Sequence, residues 1–130
     1  MRILLDTQVW LWMHLQPDRL RPDVRDMFVD PASTLLLSAA SSWEIAIKYA
    51  LGKLPLPEPP HDYVPMRMHR DGVDGLPVSH GHALHVATLP RHHGDPFDRL
   101  LVAQSQLEGV PIVTADPLVV RYEVEIIPAN

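Results

Sequence analysis

Ile3-Leu4-Leu5-Asp6-Thr7 is the stretch on which the fold turns: an apolar run closed by an acid and a threonine, with the Trp-rich segment Val9-Trp10-Leu11-Trp12 close behind. It reads as a short buried first strand, residues 2–5, running into a helix from Thr7 to Leu15. Near the far end the pattern returns in Val110-Pro111-Ile112-Val113-Thr114-Ala115-Asp116. Open α/β sheets bind their ligands outside the carboxyl ends of the strands. Two acids brought to one sheet edge from opposite ends of the chain therefore define a candidate site. One alone would be only a helix cap.

Between these runs, strand and helix signals alternate. Asp18 is placed to cap a second helix through Val24, Met27 and Phe28, ending at Asp30-Pro31. Leu35-Leu36-Leu37 is an apolar strand. Trp43, Ile47, Ala50 and Leu51 recur at helical spacing across 39–51, with Gly52 as the C-terminal cap. Pro55-Leu56-Pro57-Glu58-Pro59-Pro60 is a stiff connector, because proline lacks the N–H and fixes φ. A helix over 61–70, a strand at Leu76–Val78 and a helix capped by Ser79 and stopped by Pro90 follow. Asp95-Pro96 is an N-cap acid with proline at the first helical position, and that helix runs to Gly109. A strand at 112–114, a helical turn near 117–121 and a strand at Val124–Ile127 close the chain. This alternation predicts a doubly wound α/β sandwich with a parallel sheet of about five strands.

At 130 residues the chain is expected to be one domain, residues 1–130. It has no cysteine, which excludes disulfides and thiolate metal sites and points to a reducing cytoplasm. No apolar run approaches the ~20 residues of a membrane span, so no membrane partner is expected, and the N-terminus does not read as a signal peptide. The formal charge of −5 argues against a general nucleic-acid coat but is compatible with an acidic, metal-holding enzyme site.

Asp6, Glu44, Asp98 and Asp116 are the acids at pointed places: two after strands, two near the start of helices. Clustered carboxylates repel one another, and a divalent cation turns that repulsion into attraction. Oxygen ligands without cysteine select Mg²⁺ or Mn²⁺. Such ions suit phosphodiester hydrolysis. Each acid also has a plain structural reading. Asp6 and Asp116 can cap helices, Glu44 stands four residues before Lys48 at ion-pair spacing, and Asp98 favours a helix dipole. Spacing alone leaves the reaction open.

Four further segments bear on this. Leu4-Leu5-Asp6-Thr7, Ser42-Trp43-Glu44-Ile45-Ala46-Ile47-Lys48 with Leu51-Gly52-Lys53-Leu54, His92-His93-Gly94-Asp95-Pro96-Phe97-Asp98-Arg99-Leu100-Leu101-Val102-Ala103-Gln104, and Thr114-Ala115-Asp116 occur in this order along nearly the whole chain. In them the chain resembles the PIN-domain family, specifically the VapC-type toxins of type II toxin–antitoxin systems. The resemblance implies a three-layer α/β/α PIN-like fold and a Mg²⁺- or Mn²⁺-dependent endoribonuclease that inhibits translation. It implies that Asp6, Glu44, Asp98 and Asp116 are both catalytic and metal-binding, with Thr7 and Thr114 orienting carboxylates. Asp95 is either a helix cap or a ligand. Arg99 and Lys48 each either meet a phosphate or pair with an acid, and His93, with His92, lies near enough to the acids to contact RNA. Implied partners are RNA, a small cognate antitoxin and a second copy of the chain; operon DNA is reached only through the antitoxin. Gln8 departs from the subgroup, which more often has His there, and Gln cannot titrate.

Competing readings are a catalytically silent PIN-like module that only binds a partner, and a receiver-like domain carrying an aspartyl phosphate. The latter wants a second acid two residues after Asp6, where Gln8 stands. His80, His82 and His85 lack the His-Glu-x-x-His arrangement and read as solvated surface histidines, not a zinc site. Trp10 is expected in the core with Met13, and Trp12 on a partner-facing surface. Asp71-Gly72-Val73-Asp74-Gly75 lacks the later Glu of a calcium loop and reads as a turn.

Overall fold

The computed structural model describes residues 1–130. Its strands are β1 (Arg2–Leu5), β2 (Thr34–Ser38), β3 (Asp74–Leu76), β4 (Ile112–Thr114) and β5 (Ile126–Pro128). Its α-helices are α1 (Thr7–Leu15), α2 (Pro22–Val29), α3 (Ala39–Ala50), α4 (Pro60–Asp71), α5 (His80–His85) and α6 (Pro96–Glu108). The five strands form one sheet in the order β3-β2-β1-β4-β5, every pair parallel. Helices on both faces complete three α/β/α layers.

Strand periodicity explains the layers. Ile3, Leu5, Leu35, Leu37 and Val113 face one side and pack with Val9 and Trp10 of α1, Val24 of α2, Ile45 of α3 and Tyr63 of α4. Leu4, Leu36, Leu76 and Ile112 face the other and pack with Leu101, Val102 and Ala103 of α6. Successive side chains point to opposite faces, so a strand covered on both sides must be apolar throughout. That is why Ile3-Leu4-Leu5 has no polar member.

From β1 the chain builds outward through β2 to β3, then returns across the sheet to β4 and β5. The direction reverses between β1 and β4, which pair with Leu4 beside Ile112 and Leu5 beside Val113. The crevice at such a switch point is where doubly wound sheets bind ligands. Asp6 and Asp116 follow these two strands.

Several boundaries differ from expectation. Asp18 sits in a 3₁₀ turn, Pro17–Arg19, and α2 begins at Pro22 with no side-chain cap. Pro22 starts the helix because its fixed φ and missing N–H suit the first helical position. The third strand is 74–76, not 76–78, since Pro77 cannot donate to the ladder. The last strand is 126–128 instead of 124–127. Helix α3 buries Ala40, Ser41, Glu44 and Ile45, while Trp43 and Leu51 of the expected apolar stripe are 61% and 63% exposed. Turning Glu44 inward toward the switch point turns Trp43 out. Gly52, at φ +72°, adopts the left-handed conformation just past α3, as its C-terminal position requires. No helix is long and apolar enough to cross a membrane.

Candidate active site

A groove of about 520 Å³ opens over the carboxyl ends of β1 and β4, and Asp6, Glu44, Asp95, Asp98 and Asp116 all line it. Each acid arrives by a separate local device. Asp6 ends β1 and caps α1, Oδ1 accepting from the Gln8 N–H at 3.4 Å. Its Oδ2 accepts from the Thr114 hydroxyl at 2.6 Å. That same Thr114 oxygen accepts from the Asp116 N–H at 3.0 Å. One buried threonine at the end of β4 therefore ties together the two acids that lie farthest apart in the chain. Asp116 also caps the turn behind it, Oδ1 accepting from the Leu118 N–H.

Glu44 comes from the second turn of α3. Thr7 does not touch a carboxylate, as the resemblance had implied; its hydroxyl donates to Ser41 at 2.8 Å, three residues before Glu44. This pins the start of α3 to the start of α1 and so fixes Glu44 relative to Asp6. Glu44 is 5% exposed, and its Oε2 receives Lys48 Nζ at 2.5 Å. Its Oε1 is buried with no hydrogen-bond partner. Lys48 is thus committed to Glu44, which holds its ammonium pKa above the ordinary value.

Asp95 takes the capping role: its Oδ1 accepts from the Phe97 and Asp98 N–H groups at 2.8 and 3.2 Å. Asp98, in the first turn of α6, is pushed up to about 7, first by burial and then by the charges of Asp6, Asp95 and Glu44. Burial likewise raises the Asp6 carboxyl, while the Thr114 and Gln8 bonds oppose it and Glu44 and Asp116 reinforce it. These are the marks of carboxylates crowded together and withdrawn from water.

His93 enters as the counterweight. Its Nε2 lies 2.9 Å from Asp116 Oδ2 and 2.9 Å from Asp98 Oδ2. Burial acts to lower the imidazole pKa, but the Asp116 bond and the charges of Asp98 and Asp116 outweigh it and raise it. Atoms of His93, Asp98 and Asp116 able to ligate a cation all fall within 4.8 Å of one another.

Arg99 pairs with no acid. Its guanidinium donates to the carbonyls of Val86, Leu89 and Pro90 and to the Tyr122 hydroxyl at 3.1 Å. Five donors in a rigid fork suit this fan of acceptors. Tyr122 in turn accepts from the His93 N–H at 2.9 Å, so Arg99 fixes the segment that carries His93. Tyr122 and Ser41 had no signal in the sequence, because their roles exist only through contacts far along the chain. Lys53 and Trp12 also line the groove. Trp12 is therefore a wall of the site, and Arg19 lies over its ring at 5.4 Å. Trp10 is fully buried, as expected. His82 is not a solvated histidine: it is buried, and its Nδ1 accepts from the Ser79 N–H. His85 pairs with Gln106, while His80 is exposed.

The family model for the PIN domain matches residues 3–124, a span that contains all four acids. The chain belongs to the PIN-domain family. It is 54% identical over 63 residues to a protein named ribonuclease VapC16 of Mycobacterium tuberculosis, a match covering 48% of this chain and 45% of that relative. The chain thus spans less than half the length of that curated relative. Among solved structures, VapBC2 from Rickettsia felis bound to a DNA fragment from its promoter aligns with a TM-score of 0.74 at 14% identity, covering all of both chains. A toxin–antitoxin complex from Klebsiella pneumoniae aligns with a TM-score of 0.67 at 13% identity, over 97% of this chain and 96% of that one. FitAcB from Neisseria gonorrhoeae gives 0.60 at 17%, over 97% of this chain and 96% of that one. These likenesses establish the three-layer PIN fold.

Proposed function

We propose that this chain is a divalent-metal-dependent endoribonuclease acting as the toxin of a type II toxin–antitoxin pair in the cytoplasm. One observation carries the reading: the buried, partnerless Oε1 of Glu44 on a groove shared with Asp6, Asp98 and Asp116. A buried carboxylate oxygen without a donor costs free energy unless a cation completes it. The donors are carboxylate oxygens, which fit Mg²⁺ or Mn²⁺ better than zinc. Asp6, Glu44, Asp98 and Asp116 would hold the ion. Bound there, it supplies the charge and water activation that phosphodiester hydrolysis needs.

The chain's own residues do the rest. Thr114 keeps Asp6 and Asp116 in register, Ser41 and Thr7 hold α3 against α1, and Lys48 balances Glu44. Lys53 on the groove wall offers positive charge to the RNA backbone. Hydrolysis would proceed by direct attack of water on phosphorus, with no covalent protein intermediate. Inhibition by a small antitoxin accords with the toxin–antitoxin names of its structural relatives; assembly as a homodimer is part of the same proposal, and operon DNA would be met only through the antitoxin.

The test is cleavage of labelled RNA by purified protein with Mn²⁺, wild type against Asp6→Asn. Metal-dependent cleavage by the wild type alone is expected. Equal background cleavage by both would leave only a silent partner-binding module.

A further inference from the structure

The geometry points to His93 as a tethered hydrogen-bond donor that occupies the cation position between Asp98 and Asp116, and not as a metal ligand. This rests on the proposal that the acids hold a divalent cation. The ring is tied at its other nitrogen: Nδ1 accepts the Asp95 backbone N–H at 3.1 Å. A neutral imidazole has one N–H and one lone pair. With the Nδ1 lone pair taken by Asp95, the proton is on Nε2, the atom 2.9 Å from both Asp98 Oδ2 and Asp116 Oδ2. A nitrogen carrying a proton has no lone pair for a metal. Placing the proton on Nδ1 instead would set two N–H groups against each other at 3.1 Å.

The tether is rigid because it is built from the backbone outward. Asp95 is fixed as the cap of α6, so its own N–H is aimed by the helix start. The His93 N–H is held by Tyr122, and Tyr122 by Arg99. The His93 side chain is 13% exposed and lies among these partners and the acids. Its Nε2–H thus does part of what a cation would do there, placing the positive end of an N–H dipole between two crowded carboxylates. The same position makes it a competitor. A cation entering between Asp98 and Asp116 must displace the Nε2–H from Asp116. Hard cations also prefer the oxygens over an imidazole nitrogen.

His93→Asn separates the two roles, because the Asn amide oxygen can take the place of Nδ1 for the Asp95 N–H while nothing reaches the carboxylates. Mn²⁺ binding by calorimetry is expected to be about tenfold tighter in His93→Asn than in the wild type, or ~1.4 kcal/mol. His93→Gln, whose amide can again donate to Asp116, is expected to return toward wild-type affinity. Nitrogen-15 spectra of the His93 ring should show Nε2 protonated and Nδ1 bare, both without metal and with Mg²⁺. Unchanged or weaker Mn²⁺ binding by His93→Asn overturns the inference, as does a bare Nε2 in the ring spectrum. If His93→Asn does not fold, the ring spectrum of the wild type decides alone. Failure of the wild type to bind Mn²⁺ at all would remove the metal-site proposal and this inference together, whereas wild-type binding with the wrong sign in the variant removes only this one.

Discussion

Replacing Thr114 with Val deletes a single hydroxyl at a position that is 1% exposed and changes the shape of the side chain little. That hydroxyl donates to Asp6 Oδ2 at 2.6 Å and accepts from the Asp116 N–H at 3.0 Å, so one oxygen serves both acids. A hydrogen bond to a charged group contributes about 1.5–3 kcal/mol net, and the Asp116 N–H, in a partly exposed residue, adds ~1 kcal/mol at the low end for a lost partner. The extra methyl group returns about 0.8 kcal/mol. Thr114→Val should therefore lower the stability of the metal-free protein by roughly 2–3 kcal/mol. The assay is urea unfolding in EDTA, with Thr114→Ser as the control that keeps the hydroxyl. Thr114→Ser should lose only ~1 kcal/mol, for its missing methyl. A Thr114→Val protein within ~0.5 kcal/mol of the wild type would refute the claim that this hydroxyl organises the site. With the Thr114 bond gone, which now opposes burial, the Asp6 carboxyl should also rise further.

Asp98 carries a pH signature: its folded pKa of about 7 lies above the ordinary 3.8, so its contribution to stability is full below pH ~4 and is lost as the pH rises through 7. A shift of about three units is ~4 kcal/mol at most. The melting temperature in EDTA should fall across that window, and Asp98→Asn should flatten the fall; parallel slopes for the two proteins would contradict the assignment. Asp71, lowered although burial opposes it, loses its contribution only on acidification below ~4 and does not blur this window. Glu44→Gln removes the charge whose Oε1 has no partner, so Mn²⁺ affinity should drop at least about tenfold while the metal-free fold loses less than ~1 kcal/mol, read by calorimetry and thermal melting. Arg99→Lys cannot reproduce the fan of bonds to Val86, Leu89, Pro90 and Tyr122; hydrogen exchange should show faster exchange at the Leu89 and His93 amides, with ~1–2 kcal/mol lost on unfolding.

The sheet and its acids were largely legible from local pattern. Ile3-Leu4-Leu5 and Ile112-Val113 are apolar because both faces of a central parallel strand are covered, and a period-free apolar run records that directly. Asp6, Asp95 and Asp98 announce themselves by their place at the ends of such runs or beside Pro96, where cap chemistry and site chemistry coincide. Glu44 was marked by its place on a helix following a strand and by its segment's resemblance, while its spacing made it equally an i,i+4 partner of Lys48, and the structure shows that it is that partner as well.

What only tertiary structure decided is which atoms meet. The turn of Thr7 toward Ser41, the bond from Thr114 to Asp6, the bond from Arg99 to Tyr122 and the approach of His93 to Asp116 each join residues 23 to 108 positions apart. Secondary-structure patterning encodes burial and hydrogen bonding within a few residues, and so it determined the strands, the helix starts and the acids that stand on them. It holds no information about the crossing of α6 over β4, which is set by how the two apolar faces of the sheet pack. That packing brings the His93 ring to the carboxylates, with its proton held on the nitrogen that faces them.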